Sequence, residues 1–242
     1  MLKLKIAYLY PELLNIYGDK GNILAFVNRC LWRNIDAEIH EIHQGDKIDP
    51  DLYDFYFIGG GQDQQQIAVA GELQKQKEAL IQARDNMAVF LTICGGYQLL
   101  GHYYKPHAGD ELKGISLLDA YTVAGNTRYI GNVTVKTDFA LKEKNLVGFE
   151  NHSGLTYLQG ETKSLGKVVV GNGNNGKDKT EGAFYKNVFG TYLHGSFLPK
   201  NPHFTDYLIK LSLERNHGKI EPEPLNDEIE WAAHKKAVGR KY

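Results

Sequence analysis

Residues 88–101 read Ala-Val-Phe-Leu-Thr-Ile-Cys-Gly-Gly-Tyr-Gln-Leu-Leu-Gly, an apolar run of strand character that ends on a cysteine and two glycines and continues as a helix. A strand that turns into a helix with no loop between is the nucleophile-elbow arrangement, and it commits the chain to an α/β architecture. A thiol at that bend stands clear of both elements, and the first N–H groups of the helix favour its thiolate. The amide directly after such a nucleophile can donate to an oxyanion where no side chain crowds it, a condition Gly95 meets. Cys94 is therefore the candidate nucleophile. The plainer reading of this residue is an inert thiol at the end of a core strand. Cys30 shows what that looks like, because it sits inside the apolar-periodic stretch 22–33 with no glycine nearby and reads as core.

Around the elbow the chain alternates. Residues 4–9, 37–42, 55–58 and 89–93 read as strands, and residues 22–33, 64–84 and those from Gly96 onward read as helices. This alternation predicts right-handed βαβ crossovers and a mostly parallel sheet. Between residues 113 and 192 the texture changes to short β-type runs broken by glycine and asparagine, among them 129–136, 167–170 and 188–193. Those runs predict antiparallel strands added to the parallel core. Asn201-Pro202 predicts a helix start, with asparagine as N-cap, proline at N1, and Phe204, Leu208 and Leu211 on one face. Residues 218–242 carry acidic residues first and basic residues last around Trp231, as a solvated terminal helix or a docking element for another protein would. The 242 residues are expected to form one α/β domain with a large core.

Composition narrows the function. The 28 basic and 29 acidic residues are scattered and leave a net charge of -1, which offers nucleic acid no basic surface. No apolar run reaches the roughly 18 residues a membrane span needs. Two cysteines and no signal-like N-terminus predict a reducing, cytoplasmic setting, in which the sequons Asn132-Val-Thr134 and Asn151-His-Ser153 are chance matches.

A catalytic thiol needs a base for its proton and a place for the charge that develops on the attacked carbonyl. Residues 55–61, Phe-Tyr-Phe-Ile-Gly-Gly-Gly, form an apolar strand ending in three glycines, and open α/β sheets bind ligands at the carboxyl ends of their strands. Bare backbone there can approach a substrate and donate N–H groups, a use that accounts for glycines too costly in entropy for a simple turn. Nine histidines compete for the role of base. His194 follows the strand-like run 188–193 and precedes Gly195; His152, within Phe149-Glu150-Asn151-His152, is its rival, and spacing does not choose between them. Gly171-Asn-Gly-Asn-Asn-Gly176-Lys177 has P-loop spacing, but Asp178 replaces the serine or threonine and no helix follows, so it reads as a hairpin loop. No nucleotide site is expected in this chain.

Taken together these segments resemble a class I glutamine amidotransferase domain of the cobyric-acid-synthase-like type, and more closely the glutaminase subunits of lipid II isoglutaminyl synthases. The likeness runs over nearly the whole chain through Asn15-Ile-Tyr-Gly-Asp-Lys-Gly-Asn22, Phe57-Ile-Gly-Gly-Gly61, Leu91-Thr-Ile-Cys-Gly-Gly-Tyr-Gln98, Asn126-Thr-Arg128, Val147-Gly-Phe-Glu-Asn-His152 and Gly190-Thr-Tyr-Leu-His-Gly195. It implies a three-layer fold with a mostly parallel central sheet. Cys94 is then the nucleophile and His194 the base and later acid. Arg128 clamps the glutamine α-carboxylate, a task suited to a bidentate guanidinium, and Gly60 and Gly95 are the oxyanion donors.

The implied reaction is hydrolysis of glutamine to glutamate and ammonia through a γ-glutamyl thioester. The ammonia goes to a Mur-ligase-like synthetase partner (MurT) in a heterodimer at the inner membrane face, which amidates the D-glutamate α-carboxyl of the lipid II stem peptide. The resemblance places no cofactor and no metal in this chain; ATP and magnesium belong to the partner. A corrinoid precursor is the alternative acceptor, and a binding domain with an inert thiol is the non-enzyme alternative. Two positions depart from the class I pattern. Thr92 stands where many members have glycine, and Ser196 stands where a glutamate would orient the histidine. The orienting acid is then expected from the partner or from a distant residue such as Asp19 or Glu150.

Overall fold

The apolar runs of the first hundred residues become the middle of one sheet in the computed structural model, which describes residues 2–139 and 141–240. Strands β1 (Lys3–Leu9), β2 (Asp36–Ile42), β3 (Phe55–Ile58) and β4 (Val89–Ile93) alternate with helices α1 (Lys20–Leu31) and α2 (Asp63–Asp85), and α3 (Gly95–Leu100) leaves β4 directly. Every residue of β3 and β4 is buried, as continuous apolar strands inside a parallel sheet must be.

The chain then builds β5 (Tyr103–Lys105), β6 (Leu112–Lys113), β7 (Ala120–Lys136), β8 (Asn145–Leu158), β9 (Gly166–Val170), β10 (Thr180–Glu181) and β11 (Ala183–Tyr185). It returns through β12 (Val188–Thr191) and ends with α4 (Pro202–His217) and α5 (Glu228–Ala237). The first sheet has the order β11-β12-β4-β3-β1-β2 and is parallel except for β11. Helix α1 packs on α4, which also reaches β1 and β4, while α2 touches α3. The second sheet runs β10-β9-β7-β5-β6 with β8 paired to β7, and it is antiparallel apart from the β5–β7 pair. The fold is α/β with a mostly parallel sheet and added antiparallel strands.

The long β7–β8 ribbon extends well beyond the expected strand 129–136. Its register shifts between Ala124 and Tyr129, and this irregularity carries Arg128. A two-residue bridge joins the sheets, with His194 N–H donating to Phe149 O (2.8 Å) and Phe149 N–H to His194 O (3.2 Å). Asn201 stands at the N-cap of α4 with Pro202 following, as expected, but its side chain reinforces that junction. Its Oδ1 accepts from Val147 N–H, its Nδ2 donates to Val147 O and Phe197 O, and its backbone carbonyl receives the Phe204 and Thr205 amides. The asparagine side chain is therefore spent across the sheets instead of on its own helix.

The C-terminal segment folds onto the chain's own body. Arg29, buried in α1, makes bidentate contacts with both Asp206 and Asp227, all at 2.7 Å. Trp231 stacks on His203, and His234 pairs through Nδ1 with Lys200 O (2.7 Å). Residues 241 and 242 lie outside the described residues. Among the described residues no helix is long and apolar enough to cross a membrane.

Candidate active site

The carboxyl ends of β1, β3, β4 and β12 converge on Cys94. This residue has φ 49° and ψ -104°, a conformation L-residues rarely adopt and one that costs about 1–3 kcal/mol. The strain is held by neighbours: Cys94 N–H donates to Thr191 O and Gln98 N–H donates to Cys94 O, each at 2.9 Å. A Cβ on Gly96 would lie 2.7 Å from Ile58 Cγ2 and 2.8 Å from Gly59 O, so the elbow closes only with glycine there. Thr92 is accommodated because its Oγ1 donates to Phe189 O (3.2 Å), fastening β4 to β12. Cys94 is 7% exposed and lines a cavity of about 420 Å³.

The three glycines after β3 serve mainly the chain itself. A Cβ on Gly59 would lie 2.2 Å from Leu14 O; one on Gly61 would lie 2.4 Å from Leu14 Cδ2. They let the loop after β1 come in under β3 and carry Asp19 beside His194. Gly60 N–H, expected as an oxyanion donor, instead donates to Asp19 Oδ2 at 2.6 Å. The neighbouring amide lies close to the elbow, with Gly61 N 3.1 Å from a Cβ built on Gly95. The Gly95 N–H is the first of helix α3 and finds no acceptor within the helix.

His194 and Asp19 are both buried, with Nδ1 and Oδ1 3.5 Å apart. Neither ring nitrogen of His194 makes a close hydrogen bond to a described residue. Burial disfavours the imidazolium, but the charges and hydrogen-bonding groups of Cys94 and Asp19 outweigh it and raise the pKa to about 10. Ser196 cannot supply the acid of the class I pattern, and its Oγ instead donates to Gly18 O (2.6 Å), pinning the loop that carries Asp19.

The rival histidine is built differently. His152 stacks flat on Tyr192, with ring centroids 3.6 Å apart, and pairs through Nδ1 with Gly154 O (2.8 Å). Glu150, named in the sequence reading as a possible acid for His194, lies 3.9 Å from His152 Nε2 instead. Its carboxylate accepts from the Asn172 and Gly173 amides and from Asn172 Nδ2. The P-loop-like segment, which connects β9 to β10, thus does cradle an anion, but the anion is the chain's own.

Arg128 lines the cavity with its Nε donating to Asn151 Oδ1 (2.7 Å) and its Nη2 to Tyr17 Oη (3.1 Å). Its remaining donors are open to a carboxylate. Tyr17, Gln66, Gln98 and Asn151 also line the cavity and were not singled out from sequence. Of these only Gln98, four residues after Cys94 and one helical turn away, carried a positional signal.

Residues 5–202 match the family model of the CobB/CobQ-like glutamine amidotransferase domain. The chain belongs to this family. It is 42% identical over 99% of its length to the lipid II isoglutaminyl synthase (glutamine-hydrolyzing) subunit GatD of Staphylococcus aureus (strain N315), covering 97% of that protein. It is 40% identical over 94% of its length to the GatD subunit of Streptococcus pneumoniae (strain ATCC BAA-255 / R6), covering 87% of that protein. A probable cobyric acid synthase of Methanopyrus kandleri is 38% identical over 52% of the chain and 28% of its own length. By these matches this amidotransferase belongs with the GatD subunits. Among solved structures, one described as a glutamine amidotransferase shares the fold, with a TM-score of 0.57 at 10% identity over 85% of this chain and 98% of that one.

Proposed function

We propose that this chain hydrolyses glutamine and supplies the ammonia for amidation of lipid II. The observation that carries the reading is Cys94, strained at the elbow with His194 and Asp19 behind it and the Arg128 cavity in front. The lipid II acceptor rests on the GatD relatives, which match nearly end to end, whereas the cobyric acid synthases match over about half of the chain.

In this mechanism Arg128 holds the α-carboxylate and sets the carboxamide carbon over the sulfur. The Cys94 thiolate attacks that carbon, and the carbonyl π pair moves onto oxygen, where the Gly95 and Gly61 amides receive it. As the tetrahedral intermediate collapses, the C–N bond breaks, His194 donates a proton to the departing nitrogen, and ammonia leaves behind a γ-glutamyl thioester. Water then attacks the thioester, with His194 accepting its proton, and releases glutamate and the free thiolate. Asp19 orients the imidazole. Ammonia would be protonated in bulk water, so it passes to a Mur-ligase-like synthetase subunit, MurT, which holds the ATP and magnesium and activates the D-glutamate carboxyl.

The test is ammonia release from glutamine by the chain alone and with its synthetase subunit. Cys94→Ser should abolish release in both settings without loss of fold. Full activity of the isolated chain would leave Asp19 as the sole orienting acid; weak activity alone, restored by the synthetase, would make a group from that subunit part of the site.

A further inference from the structure

Gln66, in the first turns of α2, is a buried carboxamide at the reacting end of the cavity that the mechanism above does not use. Its Nε2 donates to Gly61 O and to Gln98 Oε1, each at 3.2 Å. A backbone carbonyl only accepts, so the atom facing Gly61 O must be the NH2 group, and the amide orientation is fixed by chemistry. Gln98 in turn donates through Nε2 to Tyr192 Oη (3.1 Å), so the two carboxamides share one direction, and Tyr192 Oη also bonds Thr156 Oγ1 (2.7 Å). What is left over is Gln66 Oε1, buried and without a hydrogen-bond partner among the described residues. A buried acceptor left unpaired is costly, and one beside a ligand cavity is relieved by a ligand donor.

The position of this side chain says which donor. A Cβ on Gly95 would lie 2.4 Å from Gln66 Nε2 and 3.1 Å from Gly61 N, so the Gln66 carboxamide sits against Gly95, the residue that follows Cys94, and beside the Gly61 amide. The α-carboxylate end of the cavity belongs to Arg128. The donor a bound glutamine brings to the elbow is its carboxamide NH2, the group that leaves.

Resting on the glutaminase reading, we propose that Gln66 is a specificity-determining residue whose fixed Oε1 accepts from the glutamine carboxamide NH2, favouring glutamine over glutamate. Glutamate would set an anionic oxygen against that acceptor, which helps expel the product as well as exclude it.

The experiment compares the full chain with Gln66→Met, which keeps length and removes both polar atoms. Two reactions at Cys94 are measured. One is glutamine hydrolysis. The other is covalent labelling by 6-diazo-5-oxo-L-norleucine, a glutamine analogue with a diazomethyl carbon where glutamine has its NH2. The expected result is an approximately tenfold fall in kcat/KM for glutamine, the scale of one lost hydrogen bond. The labelling rate should stay within about twofold, and the ratio of glutamate to glutamine affinity should rise. Equal falls in hydrolysis and labelling would overturn the proposal, since they mark a residue that merely shapes the site; no fall in hydrolysis would overturn it too. A wild-type chain that, with its synthetase subunit present, neither hydrolyses glutamine nor takes the label would instead refute the glutaminase reading.

Discussion

Two buried histidine–carboxylate pairs flank the site, and they are not equivalent. His194–Asp19 lies where β1, β3 and β12 end together; His152–Glu150 lies on β8 of the second sheet. Burial and ion pairing describe both. What separates them is how much each ring is already committed. His152 is clamped by Tyr192 and Gly154, and Glu150 is saturated by the 172–173 amides. His194 is fixed through its backbone bridge to Phe149 while its ring nitrogens stay unengaged except toward Cys94 and Asp19. A proton shuttle must be held in place without being used up; His194 keeps both ring nitrogens free of close hydrogen bonds, whereas His152 keeps only Nε2.

This contrast can be broken most sharply by removing one ring at a time. His194→Asn should lower kcat for glutamine hydrolysis by about 10²–10⁴-fold. His152→Asn should instead retain most of kcat while costing stability through the lost Tyr192 stack. Comparable kcat losses in the two variants would erase the distinction.

Neutralising the carboxylates is the next largest effect. Asp19→Asn should reduce kcat about tenfold to a hundredfold, the scale of one charge-assisted hydrogen bond of ~1.5–3 kcal/mol. Glu150→Gln should leave kcat near wild type and destabilise the chain by about 1–3 kcal/mol, because the amides of the β9–β10 connection lose their anion. Chemical denaturation alongside steady-state rates separates the two outcomes.

The smallest effect is on pH dependence, where the pairs differ in sign. The His194 pKa is raised by Cys94 and Asp19 to about 10, so its contribution to stability is complete below the ordinary value near 6.5 and is lost as pH climbs from there toward 10. Burial pushes the Glu150 carboxyl up, but its hydrogen bonds to His152, Asn172 and Gly173 prevail and hold its pKa below the usual 4.5. Its contribution is present above that value and is lost as pH falls below it. Melting curves across the pH range should show the alkaline limb flattened in His194→Asn and the acid limb flattened in Glu150→Gln.

The same two regions differ in how well the sequence reports them. Strands β3 and β4 appear at their expected residues because both of their faces are buried and every position is apolar. In β8 the inward positions after Leu146 are Gly148, Glu150, His152, Gly154 and Thr156, so the alternation that builds most of the strand is not one of hydrophobicity and leaves no period-2 signal. The register shift that carries Arg128 looks like a turn for the same reason, since Gly125 and Asn126 interrupt β7. Cys94 was legible because an elbow is local. The proposed choice of His194 over His152, of Asp19 over Glu150, and of Gly61 over Gly60 rests on contacts between residues up to 175 positions apart, which no local pattern encodes.

The central claim, that Cys94 is the nucleophile and Cys30 a bystander whose thiol burial pushes up to about 12, is tested most directly by mass spectrometry of the chain caught during turnover. Acid quenching with saturating glutamine should leave one γ-glutamyl group on the peptide containing Cys94, absent without glutamine and absent in Cys94→Ser. An adduct on another residue, or ammonia release with Cys94 replaced, would contradict the account.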